Sequence, residues 1–447
     1  MSRLVRSFLP RVAHYFKMEA NTPTGYETWS REQLLERIQA LEKQITPRPS
    51  TSTQKTNKKK ERPFDMSRYE QRRVAFKVAY LGWNYSGFAA QGDDTLPTVE
   101  GEIFKALQTC KLIESPDKCN FTRCGRTDKG VSGLGQVISL DVRSNLSKEE
   151  IAAQKREDEL GYIDTLNRLL PDDIRVFAWA PVAPNFSARF DCKSRTYKYF
   201  FVKGQLDLDR MRTAASYLLG EHDFRNFCRL DPSKNITNYC RTIVSLDIRP
   251  CTVDTSVLGP GMDFYEVELK GTAFLWHQVR CIMSILFLVG QGLEAPEVIK
   301  DLTDITKVPS KPEYTMASDL PLLLYDCEFD NLEWTYASKK SYISPWRTFN
   351  HLHEQWCAQM IRGLMYQTFL DAVKAFSWED EHGQQTLHER RVGGLDRSSR
   401  EATIVLGGGK EIRTSRYKKL MERPRGDTDE MKKEKYNARK KRKLEHN

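Results

Sequence analysis

The stretch FLWHQVRCIMSILFLVG, residues 274–290, sets one arginine, Arg280, among almost wholly apolar neighbours. About nine apolar residues follow Arg280, against the ~20 that a bilayer crossing needs, so the segment reads as the core helix of a folded domain and not as a membrane span. A guanidinium does not shed its proton inside a protein, and an unpaired buried charge costs several kcal/mol. The fold must therefore bring a carboxylate to Arg280. Asp128 is the acid assigned to it, with a structural salt bridge to some other acid as the alternative.

A chain of 447 residues, 39% hydrophobic and 29% charged, can bury the core that such a helix requires, as one large or two modest domains with polar tails. Its ten cysteines include no C-x-x-C pair and follow no secretory signal, which argues against a disulfide framework and for a reducing compartment. The formal charge of +10 is unevenly spread. Residues 410–447 carry 15 Lys/Arg against 7 Asp/Glu, residues 51–73 carry 8 against 3, and residues 74–409 come to −6. An RNA surface on the central part is thus a local patch rather than a general positive field.

The first 18 residues, basic and without an acid, read either as a mitochondrial transit segment or as a plain basic leader. The capping-box spacing Ser30 to Gln33 opens a short helix with Leu34, Ile38, Leu41 and Ile45 at coiled-coil spacing, and residues 47–62 read as a linker. From residue 72 the order strand, helix, strand, strand, helix, strand is expected, with strands near 74–80, 119–124, 138–142 and 174–180. The next 130 residues repeat it, with strands at 194–202, 241–249, 264–270 and 321–327 and helices at 207–219, stopped by Gly220, and 275–289.

The expected fold is α+β. Two ferredoxin-like (RRM-like) β-α-β-β-α-β halves form one antiparallel or mixed sheet platform with helices packed on one side and a cleft between the halves. The divisions are a leader, coiled-coil-like helix and disordered linker (1–70), a first half (71–190), a second half (191–335), a C-terminal helical extension packed on the core (336–409), and a basic disordered tail (410–447). The run KKRK at 440–443 resembles a nuclear-localisation signal, a merely solvated charge run being the alternative. The localisation expected is nucleus and cytoplasm, with a mitochondrial address as an open second possibility.

Between two of the strands lies CGRTDKGVSGLG, residues 124–135, whose four glycines let a ligand approach the backbone closely. Gly125 and Gly130 have the spacing of a phosphate loop, but Val131 stands where its lysine is required, and there is no GxGxxG, which argues against a nucleotide cofactor. The loop presents one carboxylate, Asp128, beside Arg126 and Lys129. By itself that describes an ordinary turn aspartate. Two further segments add to it. In SRTYKYF (194–200), Arg195, Tyr197 and Tyr199 share one strand face, an arrangement found in plain cores and also in sites that stack an unpaired base. In FSARF (186–190) an arginine again interrupts apolar residues.

GRTDKGVSG (125–133), FSARF (186–190), RTYKY (195–199) and FLWHQVR (274–280), in this order, resemble the TruA family of tRNA pseudouridine synthases, with YLGWNYSGFAAQ (80–91) opening and SDLPLLLYDCEF (318–329) closing the similar region. The resemblance implies Asp128 as catalytic aspartate, Tyr197 as the contact to the target uracil, Arg280 as charge partner of the aspartate, and Arg126 as an aid in displacing the target base from its stack. Lys129 and Ser132 stand where bacterial members carry Ala and His, as in the eukaryotic branch acting on positions 38 and 39 of the anticodon stem-loop. It further implies a tRNA substrate, a homodimer, and no metal, redox or nucleotide cofactor. His277 and Cys281, one helical turn apart, read as packed core residues. The rival readings, a non-catalytic RNA binder on paired RRM-like folds and a scaffold recruited through the N-terminal helix, lack an RNP1-type strand in the first case and leave Asp128 and Arg280 without a role in the second.

Overall fold

The computed structural model describes residues 29–33, 64–90, 96–234, 236–251, 263–337, 344–374, 378–380, 383–385 and 402–445. The basic leader, the linker at 47–62 and most of the N-terminal helix lie outside them. Of that helix, the capping box is present: the amide of Ser30 donates to the Gln33 side chain at 2.9 Å, and the amide of Gln33 donates to Ser30 Oγ at 3.3 Å. Met1–Pro63 and Phe64–Asn447 form separate compact units.

The second unit is a mixed α+β body built on one large mixed sheet. In chain order it runs β1 (Gln71–Tyr80), α1 (Val99–Thr109), β2 (Thr122–Arg123), β3 (Ser132–Arg143), α2 (Lys148–Ala152), α3 (Tyr162–Asn167) and β4 (Ile174–Pro181). There follow β5 (Cys192–Val202), α4 (Leu208–Ser216), β6 (Gly220–Asp223), β7 (Cys240–Pro250), β8 (Phe264–Gly271), α5 (Gln278–Gly290), α6 (Val298–Thr303) and β9 (Leu322–Phe329). Across the sheet the order is β4-β1-β3-β9-β5-β8-β7-β6, with the short β2 against β3.

Strand β9 joins the two sets of strands. It pairs in parallel with β3 through Ser132↔Leu323 and Gly133↔Leu324, and antiparallel with β5 through Tyr197↔Leu324 and Lys198↔Leu323. Leu323 and Leu324 therefore index both the end of the Asp128 loop and the tyrosine strand, two inter-strand spacings of about 4.8 Å apart.

Each set of strands carries its own core. Val74, Phe76 and Val78 of β1 pack with Ile103 and Leu107 of α1 and with Tyr162 and Leu166 of α3. Around α5, where Ile282, Ile285, Leu286 and Val289 are buried, gather Tyr199, Phe201, Met211 and Phe224. A small third cluster at the junction contains Ala75, Val137, Ala188 and Leu324 with three cysteines. Among the described residues no helix is long and apolar enough to cross a membrane.

Three expectations need correcting. The helix expected at 207–219 ends at Ser216 with Tyr217 as its C-cap, and Gly220, read as its stop, opens the extra edge strand β6 instead. The helix after residue 344, α7 (Ser344–Lys374), is not packed down on the core: Trp346, Phe349, Trp356, Tyr366 and Phe369 are exposed, and His351 ties it through polar contacts, 2.8 Å from an Arg175 nitrogen and 2.7 Å from the carbonyl of Asp172. The stretch from 410 on, expected to be a disordered tail, is ordered. After a small hairpin, β10 (Trp378–Asp380) with β11 (Gly383–Gln385), come β12 (Ala402–Gly407) paired with β13 (Lys410–Thr414), and then α8 (Asp429–Glu445). Burial explains it: Ala402 and Leu420 are sunk into the α5 core, Leu406 is buried, Tyr199 donates to the carbonyl of Leu406 at 3.2 Å, and Tyr417 donates to Glu294 at 2.6 Å. Few apolar residues suffice when each meets a prepared site.

Candidate active site

The Asp128 loop is held by backbone from the opening motif. The amide of Phe88 donates to the carbonyl of Thr127 at 3.1 Å, the amide of Gly130 donates to the carbonyl of Tyr85 at 3.3 Å, and the Tyr80 and Thr127 hydroxyls share a 2.8 Å hydrogen bond. Gly130 has φ of +80°, and a Cβ there would collide with the carboxylate of Asp319. The glycine therefore serves both a left-handed turn and the close approach of a second acid.

Arg280 uses that second acid. Its Nη2 lies 3.7 Å from Asp319 Oδ1, and its Nε donates to the carbonyl of Ala317 at 2.8 Å. The direct ion pair expected between Arg280 and Asp128 is replaced by this one, because the space left at Gly130 brings Asp319 to the guanidinium first. Arg280 still acts on Asp128 through space as one of the cations favouring its charged form.

Asp128 instead meets two ring nitrogens. Trp276 Nε1 donates to Oδ1 at 2.9 Å, and His277 Nε2 lies 3.4 Å from Oδ2. Burial pushes the Asp128 carboxyl above its usual range, against the lowering influence of the Trp276 hydrogen bond, Arg280, Lys234 and Arg229. His277 is driven the other way, down to about 4, first by burial and then by Arg280, Arg229 and Lys311, so it is neutral near pH 7. Cys281 lies beside Lys311, whose Nζ is 3.1 Å from its sulfur. His277 thus reads as more than a packed core residue.

These groups line a cleft of about 790 Å³ that both sets of strands build. Arg126, Asp128 and Arg189 come from the first, and Arg195, Tyr197, Lys234, Arg241, Trp276, His277 and Arg280 from the second. All four expected site residues, Asp128, Arg126, Tyr197 and Arg280, thus share one cavity. Tyr197 is half-buried, edge-on to Phe274 with ring centroids 5.1 Å apart, and burial raises its phenol pKa. Tyr199, on the same strand face, continues into the α5 core instead of lining the cleft. Arg126 is exposed, and Phe190, also lining the cleft, is 80% exposed.

Sequence reasoning passed over Trp276, Arg229, Lys234, Arg241 and Asp319 and read His277 as a packed core residue. For Trp276 and His277 the signal was present, since both sit inside FLWHQVR, but Arg280 alone was drawn from that motif as a site residue. Arg229, Lys234 and Asp319 lie on connections and Arg241 at the start of β7, where only the fold supplies the register. One group among the described residues has the geometry to surround a metal ion: the sulfurs of Cys124, Cys192 and Cys327 lie within 4.8 Å of one another, all three buried at the junction.

The arrangement is a single carboxylate in a cation-lined groove, beside a half-buried tyrosine. Residues 214–330 match the family model described as tRNA pseudouridine synthase. The tRNA pseudouridine(38/39) synthase of Saccharomyces cerevisiae is 48% identical over 338 residues, 71% of this chain and 74% of that one. Proteins of the same name from Bos taurus and Homo sapiens are each 40% identical, over 88% of this chain and 85% and 83% of theirs.

Proposed function

The chain belongs to the TruA family of tRNA pseudouridine synthases, and from that premise we propose that Asp128 is the residue that drives its reaction. The protein is an enzyme that isomerises uridine to pseudouridine in tRNA, and its relatives carry positions 38 and 39 in their name. The reaction breaks the N1 glycosidic bond, turns the uracil and rejoins it through C5, so that no atom is lost and no electron leaves. Hydrolytic glycosidases use paired carboxylates because their leaving group departs. Here the uracil stays, and one carboxylate suffices, either attacking the sugar or base covalently or removing a sugar proton.

One observation carries the assignment: Asp128 is the carboxylate that faces the cleft beside Tyr197 while both of its oxygens meet ring nitrogens. The target nucleotide must first leave its stack, at a cost of a few kcal/mol. Tyr197 stacks the everted uracil, Arg126 at the exposed edge fills the vacated place in the RNA, and Arg189, Arg195, Lys234 and Arg241 receive phosphates. Arg280 holds Asp319 and keeps the pocket cationic. Mapping pseudouridines in tRNA from cells with wild-type or Asp128→Ala protein tests this. Modification at 38 and 39 should vanish while tRNA affinity stays within severalfold, and modification that persists would remove Asp128 from the mechanism.

The same reading takes the two sets of strands as ferredoxin-like halves. What supports it is that β4-β1-β3-β2 and β9-β5-β8-β7 follow one order when each half is numbered from its own first strand. The enzyme works as a homodimer, a reading supported by the exposed aromatic side chains of α7 and tested by sedimentation at micromolar concentration. Nuclear and cytoplasmic residence is supported by the basic run at 440–443 and is tested by imaging a tagged chain with that run replaced.

A further inference from the structure

The segment between β8 and α5 makes an abrupt corner at Trp276-His277. His277 has φ of +63° and ψ of 12°, a left-handed conformation that a residue with a Cβ adopts at some cost. Ahead of it, the amide of Leu275 is taken by the side chain of Gln278 at 2.7 Å, and the amide of Gln278 donates to the carbonyl of Leu275 at 3.1 Å. The corner is therefore built before the helix begins, and it turns two successive rings toward the same place. Their centroids are 4.7 Å apart with the planes inclined by 33°. Strain held this way at a functional site commonly serves positioning.

Both rings end on one carboxylate. Trp276 has a single polar atom, Nε1, and it is spent on Asp128 Oδ1 at 2.9 Å. His277 Nε2 lies 3.4 Å from Oδ2, a close contact short of a hydrogen bond, and its Nδ1 is a buried atom with no hydrogen-bond partner. An orphaned buried nitrogen opposes folding, so the orientation of this ring is kept in spite of it. The Arg229 guanidinium lies 4.7 Å and the Lys234 ammonium 4.9 Å from the Trp276 ring centroid, and the amide of Arg229 donates to the Trp276 carbonyl at 2.9 Å. The indole is thus fixed by backbone on one side and by cations over its face.

We propose that Trp276 and His277 are the positioning residues of Asp128: from one strained corner the indole N–H holds one carboxylate oxygen, the His277 ring bounds the other, and together they aim the acid at the base held by Tyr197. This rests on the assignment of Asp128 made above and goes beyond it by giving the orientation of the acid to a named pair. The charged groups facing Asp128 are Arg280 from α5 and Arg229 and Lys234 from the connection between β6 and β7. They set the field around the carboxylate. A point field does not fix the orientation of the carboxylate, whereas a directed donor on one oxygen with a ring packed against the other does.

Trp276→Phe tests this, because it keeps a ring for Arg229 and Lys234 and deletes only the donor. Hydrogen bonds to a charged group are worth enough that single-turnover rate should fall about 10- to 100-fold with tRNA affinity unchanged within twofold. Loss of a donor to the ionised carboxylate also raises its pKa, so the acid limb of the rate profile should move to higher pH. Trp276→His, which can restore a ring N–H, should recover part of the rate and return the limb toward wild type; His277→Gln should lower the rate less than Trp276→Phe. Thermal unfolding of each variant separates these effects from misfolding, and a variant that unfolds early is judged on the Trp276→Phe and Trp276→His pair. A Trp276→Phe enzyme with wild-type rate and pH profile, or a Trp276→His enzyme no better than Trp276→Phe, overturns the proposal. Asp128→Ala measured alongside distinguishes the two failures, since an active Asp128→Ala enzyme sinks the assignment of the acid itself.

Discussion

The two walls of the cleft are held by different means. On the Asp128 side the grip is main chain: Phe88, Gly130 and Tyr85 exchange backbone hydrogen bonds with the loop, and glycine permits the turn. On the α5 side the grip is side chain, with Trp276, His277 and Arg280 anchored at the start of one buried helix. Main-chain anchoring tolerates many sequences and locates a loop, while side-chain anchoring conditions the charge and direction of what the loop presents. The acid is placed by one wall and tuned by the other.

Four substitutions sharpen that division, in falling order of effect. Arg280→Ala removes a cation from the field of Asp128 and strands Asp319, so the pseudouridylation rate should drop about 100-fold or more. Its acid limb should move to higher pH, as losing a favourable cation raises a carboxylate pKa; an unmoved limb would confine Arg280 to a structural role. Gly130→Ala attacks the other wall. With φ of +80° and Asp319 in the way, it should lower stability by about 2 kcal/mol and the rate by about 10-fold, measured by thermal melts and single turnover. Unchanged melting would mean that the loop relaxes freely and that its backbone grip is weak.

Tyr197 separates ring from hydroxyl. Tyr197→Leu should cost about 10-fold, in line with the ~1–3 kcal/mol that stacking contributes per base, and Tyr197→Phe should stay within about threefold. A Phe variant as poor as Leu would give the hydroxyl a part in proton transfer. The smallest effect lies outside both walls: replacing the exposed Arg439, Lys440, Lys441 and Arg442 of α8 by Gln should flatten the salt dependence of tRNA binding and leave the single-turnover rate unchanged. Removing all of 410–447 is a different experiment, because it strips Leu420 and Tyr417 from the α5 core and should destabilise the protein outright.

Most of the sheet was legible in the sequence because its strands alternate and its helices show a clear apolar stripe; β4, β7, β8 and β9 lie within two residues of their expected ends. The extra strand β6 was not, since four residues that open with a glycine carry no periodicity. The hairpin β12–β13 had a readable pattern, with Ala402, Ile404 and Leu406 alternating before three glycines, but the charge that follows concealed it. Within the site, the four expected residues share the cleft because motifs in order imply a shared site. The partner of Arg280 was misassigned because a sequence shows that a buried cation needs an acid and not which acid arrives. Asp319, in a segment that looked like a closing motif, was nearer than the conspicuous one.

The junction through β9 has a mechanical consequence. Because one sheet runs through β9 beneath both walls, changing the distance between Asp128 and Tyr197 would require bending that sheet. On the reading proposed for Asp128 and Tyr197, a cleft of fixed width leaves the deformation to the nucleic acid, and uridines in loops and at stem ends, which swing out at little expense, would enter it ahead of those locked in a regular duplex.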